Sequence, residues 1–508
     1  MRVTRADQAA VPSQAASAQA KPSLLMDLRP CYEGFAGIPQ ETRLLFAMFS
    51  GFDLSRFGGL ASGIHYTSRR STSRRGRART PYEQVLTQTK ALISQDSERF
   101  HWDGLVGALL PHSIRKRVFR HYMALTELFR RERLDLQIDP AMFEDFLWVK
   151  LFDHTLRPRD RHVVRRAEYF ATELGHEYAR SLSLLPRPFQ RQLDSQGWNV
   201  FFAATVSPYR LSPGTTMMIR YYDALPLLSP HTVGEPWPHA ISHGRMLQRN
   251  MNEGAVFYCD SEPVRADLLR MFPDAEPRVH TIPALLAPVY RPDVRPQQDL
   301  RTILRRRASA ATAGPAAARP EAGEMPRLVM AVSTLEPRKN YLKLFHAFEI
   351  ARRMARRPMQ LLIVANPGWR SAAELRELKL LVAEGAYHVS GVPASELRVL
   401  YSMAHCVVAP SRAEGFDYSG IEGMACGTPV LASDIATHRW VYGDAAEYFD
   451  PYDEEALAEL IARCIDLPRD HGHLAAMRER GLRQAALYTP EALAPRWEAA
   501  IWQAAGRR

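Results

Sequence analysis

Cysteine is scarce in this chain. Its 508 residues hold five, Cys31, Cys259, Cys406, Cys426 and Cys464, and no two of them form a CxxC pair. An odd, scattered set excludes a disulfide framework and a zinc ribbon. No HExxH occurs, and no stretch approaches the roughly 18 consecutive apolar residues that a membrane span requires. Residues 1–23 are rich in Ala, Gln and Ser and lack the apolar centre of a secretory leader, so the sequence reads as that of a cytoplasmic protein with a disordered tail. Hydrophobic residues make up 46% and charged residues 24%, which excludes a fibrous or mainly disordered chain. At this length two to four domains are expected.

Acid is the scarcer charge. The formal net charge is +11, and more than half of that excess lies in one run, Arg69, Arg70, Arg74, Arg75, Arg77 and Arg79, with no carboxylate among them. No aromatic side chain interrupts the run, so stacking on bases has no support and nucleic acid is not an expected partner. Two readings remain for it: a solvated loop, or a patch for anionic lipid headgroups at the inner face of the plasma membrane.

Along the chain, short apolar segments alternate with helical patterns. Apolar strands are expected near Leu24–Asp27, Val200–Ala203, Met217–Tyr222, Ala255–Cys259 and Val279–Ile282. Residues 24–298 therefore read as an N-terminal α/β domain, with 51–81 a basic insertion and 82–185 a helical region. The stretch 299–326, including RRRASAATAGPAAARPEAGEMP, reads as a flexible linker. In 327–487 the βα rhythm is regular: strands at Leu328–Val332, Leu361–Ala365, Cys406–Ala409 and Pro429–Ala432, separated by amphipathic helices. Tyr341, Leu344, Phe345 and Phe348 follow helical spacing behind Asn340, a candidate N-cap. Residues 488–508 read as a C-terminal helix able to pack back on the N-terminal domain. Repeated βα units imply two doubly wound, Rossmann-like parallel sheets facing each other across a ligand cleft.

The stretch that carries chemistry is SRAEGFDYSGIEGMACGTPVLASD, Ser411 to Asp434. Glu414 and Glu422 have seven residues between them. Ser419–Cys426 reads as a short helix closed by Gly427, its N-terminus offering free N–H groups and partial positive charge to a phosphate. A carboxylate one turn in, at Glu422, suits the paired hydroxyls of a ribose.

This stretch resembles the E-x7-E signature of retaining glycosyltransferase family 4, which has the GT-B architecture. STLEPRKN, Ser333–Asn340, is similar to that family's phosphate-binding loop, and FYCDSEPVRA followed by VHTIPALLAPVY to the last strands of its N-terminal domain. GFAGIPQETRLLF, Gly34–Phe46, is similar to its first glycine-rich turn and helix. The resemblance implies that Arg338 and Lys339 contact the donor diphosphate, that Glu422 holds the ribose, and that Glu414 stands beside the reacting sugar as the catalytic residue. It places Gly37, Gly415, Phe416, Asp417 and Ser419 on the donor as well. No Asp-x-Asp pair is present, and the family pattern implies neither a metal nor another cofactor. Tyr222 stands where a histidine is usual on the sugar or acceptor side, with Asp223 kept beside it, and Asp417 replaces the glycine of an EGFG segment.

The expected activity is transfer of a hexose from a nucleotide-diphosphate sugar to a glycan or lipid-linked glycan. The Gly34–Phe46 and RYYDALPLLSPHT segments look most like bacterial mannosyl- or rhamnosyltransferases of surface-polysaccharide and lipopolysaccharide assembly, which favours a GDP-linked sugar. Two other readings stand beside it: a nucleotide-sugar epimerase or phosphorylase, and a non-catalytic scaffold of a polysaccharide complex.

Overall fold

The computed structural model describes residues 20–32, 34, 37–61, 80–96, 134, 136–172, 176, 179–180, 190, 192–232, 236–307 and 326–507. The arginine run at 69–79, most of the N-terminal tail and most of the expected linker lie outside the described residues.

Two sheets organise the chain. The first has eight strands: β1 (Ser23–Asp27), β2 (Arg56–Ala61), β3 (Gln137–Ile138), β4 (Glu168–Ala171), β5 (Val200–Ala203), β6 (Thr216–Tyr221), β7 (Val256–Cys259) and β8 (Val279–Thr281). Their order is β3-β4-β2-β1-β5-β6-β7-β8, and every pairing is parallel except β3 with β4. The second has six strands: β9 (Arg327–Val332), β10 (Met359–Val364), β11 (Tyr387–Val389), β12 (Cys406–Ala409), β13 (Val430–Ser433) and β14 (Ala446–Phe449). Its order, β11-β10-β9-β12-β13-β14, is wholly parallel. Central strands such as β5 and β12 are buried at every position, as parallel strands covered by helices on both faces must be.

In both sheets the strand order reverses at one place, between β1 and β5 and between β9 and β12. Such a switch point opens a crevice at the carboxyl ends of the strands, and ligands of open α/β sheets bind there. The loops after β9 and β12 carry Ser333–Asn340 and Pro410–Asp417, so the sequence motifs meet at the second switch point.

Three sequence expectations are corrected. Residues 56–61 do not belong to an insertion; they form β2, paired with β1 along its whole length. The interval 82–185 is not uniformly helical, because β3 and β4 extend the sheet within it. Residues 297–307 begin the expected linker as a helix, Gln297–Arg307, which buries Leu300 and Leu304 and pairs Arg307 with Glu396 at 2.7 Å. The C-terminal helix Pro490–Ala505 packs on the N-terminal domain. Its buried Trp497 lies against Phe49, Phe202 and Tyr258, with ring centroids 5.7, 5.6 and 5.4 Å away.

Candidate active site

The loop after β9 is set by Asn340. Its φ of 61° is left-handed, a region that asparagine tolerates better than most residues. Asn340 stands at the start of helix Tyr341–Met354, but its side chain does not cap that helix. Instead its amide donates to the carbonyls of Pro410 (3.0 Å) and Pro451 (2.8 Å). A backbone bond from Arg412 N–H to the Arg338 carbonyl, 2.8 Å, makes a second tie between the two loops.

Arg338 and Lys339 therefore converge on Glu414. Arg338 donates from Nη1 to Glu414 Oε2 at 2.6 Å and from Nε to Glu336 Oε2 at 3.1 Å, while Lys339 Nζ donates to Glu414 Oε1. The Glu414 side chain is only 4% exposed. Burial alone would push its pKa up, but the charges of Arg338 and Lys339 outweigh that and hold it below the ordinary carboxylate range. The Glu414 carbonyl accepts from Thr437 Oγ1 at 2.7 Å, which fixes the loop.

Helix Tyr418–Ala425 follows. Two glycines in eight residues are poor helix formers, and packing explains them. A Cβ on Gly420 would lie 2.4 Å from the Tyr442 ring, and one on Gly423 would lie 3.0 Å from Val407 of β12. At this N-terminus, where a phosphate is expected, Asp417 takes one of the free backbone N–H groups. Its carboxylate is the N-cap, accepting from Ser419 N at 2.9 Å and Ser419 Oγ at 2.8 Å, so the helix answers this donor from within the chain. Asp417 is buried and faces His438, whose Nε2 lies 3.2 Å away. Burial raises its pKa, but the His438 and Ser419 hydrogen bonds and the Lys339 charge bring it far below normal.

Glu422 lies deeper, beneath the domain contact. It accepts from Gln40 Nε2 at 3.3 Å and Tyr401 Oη at 3.1 Å. Burial pushes its pKa up to about 7, with those hydrogen bonds opposing the rise only in part.

The opposite wall comes from the N-terminal sheet. Ser261 Oγ donates to the Gly415 carbonyl at 2.6 Å, and a Cβ on Gly415 would lie 1.8 Å from the Tyr222 carbonyl oxygen. Only glycine permits this approach. Asp223 stands close enough to Arg338 for the guanidinium to offset part of the rise in pKa that burial imposes. The Tyr222 ring lies against Arg220, 5.5 Å from guanidinium carbon to centroid. Phe416 packs on Tyr418 and Tyr488 at 5.1 and 5.5 Å. Gly37, at φ 68°, precedes helix Ile38–Phe49 and so aims Gln40 at Glu422.

Behind the contact lies a buried ion pair, Arg220 to Glu41 at 2.7 Å, with neither side chain exposed. Next to it Asp260 is buried with no partner at Oδ1, and burial drives its pKa well up despite Arg220. Gln40, Glu41, Ser261, Glu336 and His438 were not found by sequence reasoning. One signal was available: Arg220 interrupts the apolar run MMIRYY, and a charge inside a buried strand demands a partner.

Two doubly wound domains joined face to face, with a cation pair at the switch point of the second, define the GT-B class of fold. Comparison with known proteins gives a match to one family: the model for glycosyl transferases group 1 matches residues 316–484. The O-antigen chain mannosyltransferase B of Escherichia coli is 31% identical over 161 residues, which is 32% of this chain and 42% of that one. The MMP alpha-(1->4)-mannosyltransferase of Mycolicibacterium hassiacum is 28% identical over 170 residues, 33% of this chain and 40% of its own length. The chain thus spans about two fifths of these relatives. Among solved structures, sucrose-phosphate synthase from Thermosynechococcus elongatus superimposes with a TM-score of 0.54 at 15% identity, covering 95% of this chain and 98% of that one. Anabaena Alr3699/HepE in complex with UDP gives 0.50 at 13%, covering 95% and 100%. These two show the fold. Among the described residues no helix is long and apolar enough to cross a membrane.

Proposed function

We propose that this chain is a retaining glycosyltransferase that moves a hexose from a nucleotide-diphosphate sugar to a glycan or lipid-linked glycan. The observation that carries this reading is the convergence of Arg338 and Lys339 on Glu414 at the second switch point, inside a glycosyl transferases group 1 domain. A departing nucleoside diphosphate gains negative charge as the glycosidic bond breaks, and fixed cations in a dry cleft stabilise that charge. Arg338 and Lys339 supply it, so no step needs a metal. The donor's diphosphate competes with Glu414 for the two cations, and the freed carboxylate then lies beside the sugar. Similarity to mannosyltransferases of O-antigen synthesis favours a GDP-linked mannose or rhamnose type of donor and a surface-polysaccharide acceptor. An acceptor held on lipid would place the enzyme at the inner face of the plasma membrane.

The test is a turnover assay of the purified chain with GDP- and UDP-hexoses and a polyprenyl-linked glycan, following nucleoside diphosphate and the anomeric configuration of product. Diphosphate released only when acceptor is present, with the donor's configuration kept, supports the reading. Interconversion of donors without acceptor would mean an epimerase. Absence of any transfer, unaffected by Glu414→Ala, would leave a scaffold.

A further inference from the structure

A cavity of about 830 Å³ lies at the far end of the N-terminal sheet from the cleft. It is built by the 210–216 loop that enters β6 and by the 249–254 turn that enters β7. Strand β6 runs from Thr216 at this cavity to Tyr221 beside the cleft, a separation of roughly 17 Å at 3.3 Å per residue. The two places are therefore distinct.

Its charge is one-sided. Among the described residues, four guanidinium groups, Arg210, Arg245, Arg249 and Arg507, line it with one carboxylate, Glu253, which pairs with Arg210 at 3.0 Å. Arg249 is 9% exposed. One of its terminal nitrogens donates to the Ser207 carbonyl, but Nε and Nη1 are buried with no acceptor. Burial brings its pKa down to about 10, so the group stays cationic at neutral pH. An unanswered buried guanidinium is costly, and native proteins keep few such groups without a reason. Arginine forks match phosphate oxygens in pairs. The unanswered Nε and Nη1 of Arg249, in a cavity lined by further arginines, suit the paired oxygens of a phosphate. The volume is that of a small-molecule site.

We propose that this cavity is a second ligand site, which takes a phosphate-bearing anion, either a free phosphorylated compound or the headgroup of an anionic lipid. It does not depend on the cleft's function.

The experiment titrates pyrophosphate calorimetrically into the full chain, Arg245→Ala/Arg507→Ala and Lys339→Ala, at low and high salt. Arg245 and Arg507 are exposed, so their removal spares the core; equal melting temperatures check this. The double variant should lose about tenfold or more in affinity, and Lys339→Ala should keep a salt-sensitive binding event. No binding to the full chain, or a double variant that binds like the parent, overturns the site. Loss confined to Lys339→Ala assigns pyrophosphate to the cleft and also overturns it. Sedimentation with phosphatidylglycerol vesicles separates the sources: co-sedimentation abolished in the double variant identifies a lipid headgroup, and pyrophosphate binding without it identifies a free phosphate compound.

Discussion

Glu414 and Glu422 share a motif but not an environment. Glu414 is held ionised by two cations, whereas Glu422 is raised from 4.5 to about 7 by burial. The folded protein keeps a proton on Glu422 that the unfolded chain gives up above 4.5. Stability from this group is therefore full below about 4.5 and is lost as pH rises through 7, a cost of about 3 kcal/mol at alkaline pH. Chemical denaturation from pH 4.5 to 8.5 should show the unfolding free energy of Glu422→Gln falling less than that of the parent. Parallel profiles would contradict the assignment. Removing Glu414 has a different consequence, since it frees Arg338 and Lys339. Glu414→Ala should bind nucleoside diphosphate at least as well as the parent while turnover falls about tenfold or more. Calorimetry beside steady-state kinetics checks both, and normal turnover would remove Glu414 from the chemistry.

Among the elements, helix Tyr418–Ala425 depends most visibly on missing side chains. Gly420→Ala drives a methyl into the Tyr442 ring at 2.4–2.7 Å and should cost about 1–3 kcal/mol. Gly472→Ala, with nothing within 4 Å, serves as its control in thermal unfolding; equal shifts would refute the packing argument. Strands with continuous apolar runs, such as β9 and β12, were legible in the sequence because parallel strands buried on both faces leave that signal. Strand β2 was not, because RFGGLA puts two glycines mid-strand where neither apolar nor β-branched residues mark it. The structure requires them: a Cβ on Gly58 would lie 2.7 Å from Trp198, and one on Gly59 2.4 Å from Leu28. Helix Gln297–Arg307 was hidden by its arginines, since only Leu300 and Leu304 mark its buried face. At the site, Arg338, Lys339 and Glu414 could be read from local motifs. The pairings of Gln40 with Glu422 and of Ser261 with Gly415 could not, because 382 and 154 residues separate them.

Across the whole molecule, these two contacts hold the sheets together at their carboxyl ends. Gly415→Ala sets a methyl 1.8 Å from the Tyr222 carbonyl, backbone against backbone, so the domains must part. Small-angle scattering should report a larger radius of gyration, and transfer should slow. An unchanged profile and rate would mean that the contact is incidental. The central claim, that the cations at the second switch point receive a nucleoside diphosphate, is tested most directly by calorimetric titration of GDP and UDP. The parent should bind at least one of them. Lys339→Ala should bind it about 10- to 100-fold more weakly, the scale of one charge-assisted hydrogen bond at 1–3 kcal/mol. Equal affinity in parent and variant would contradict the account.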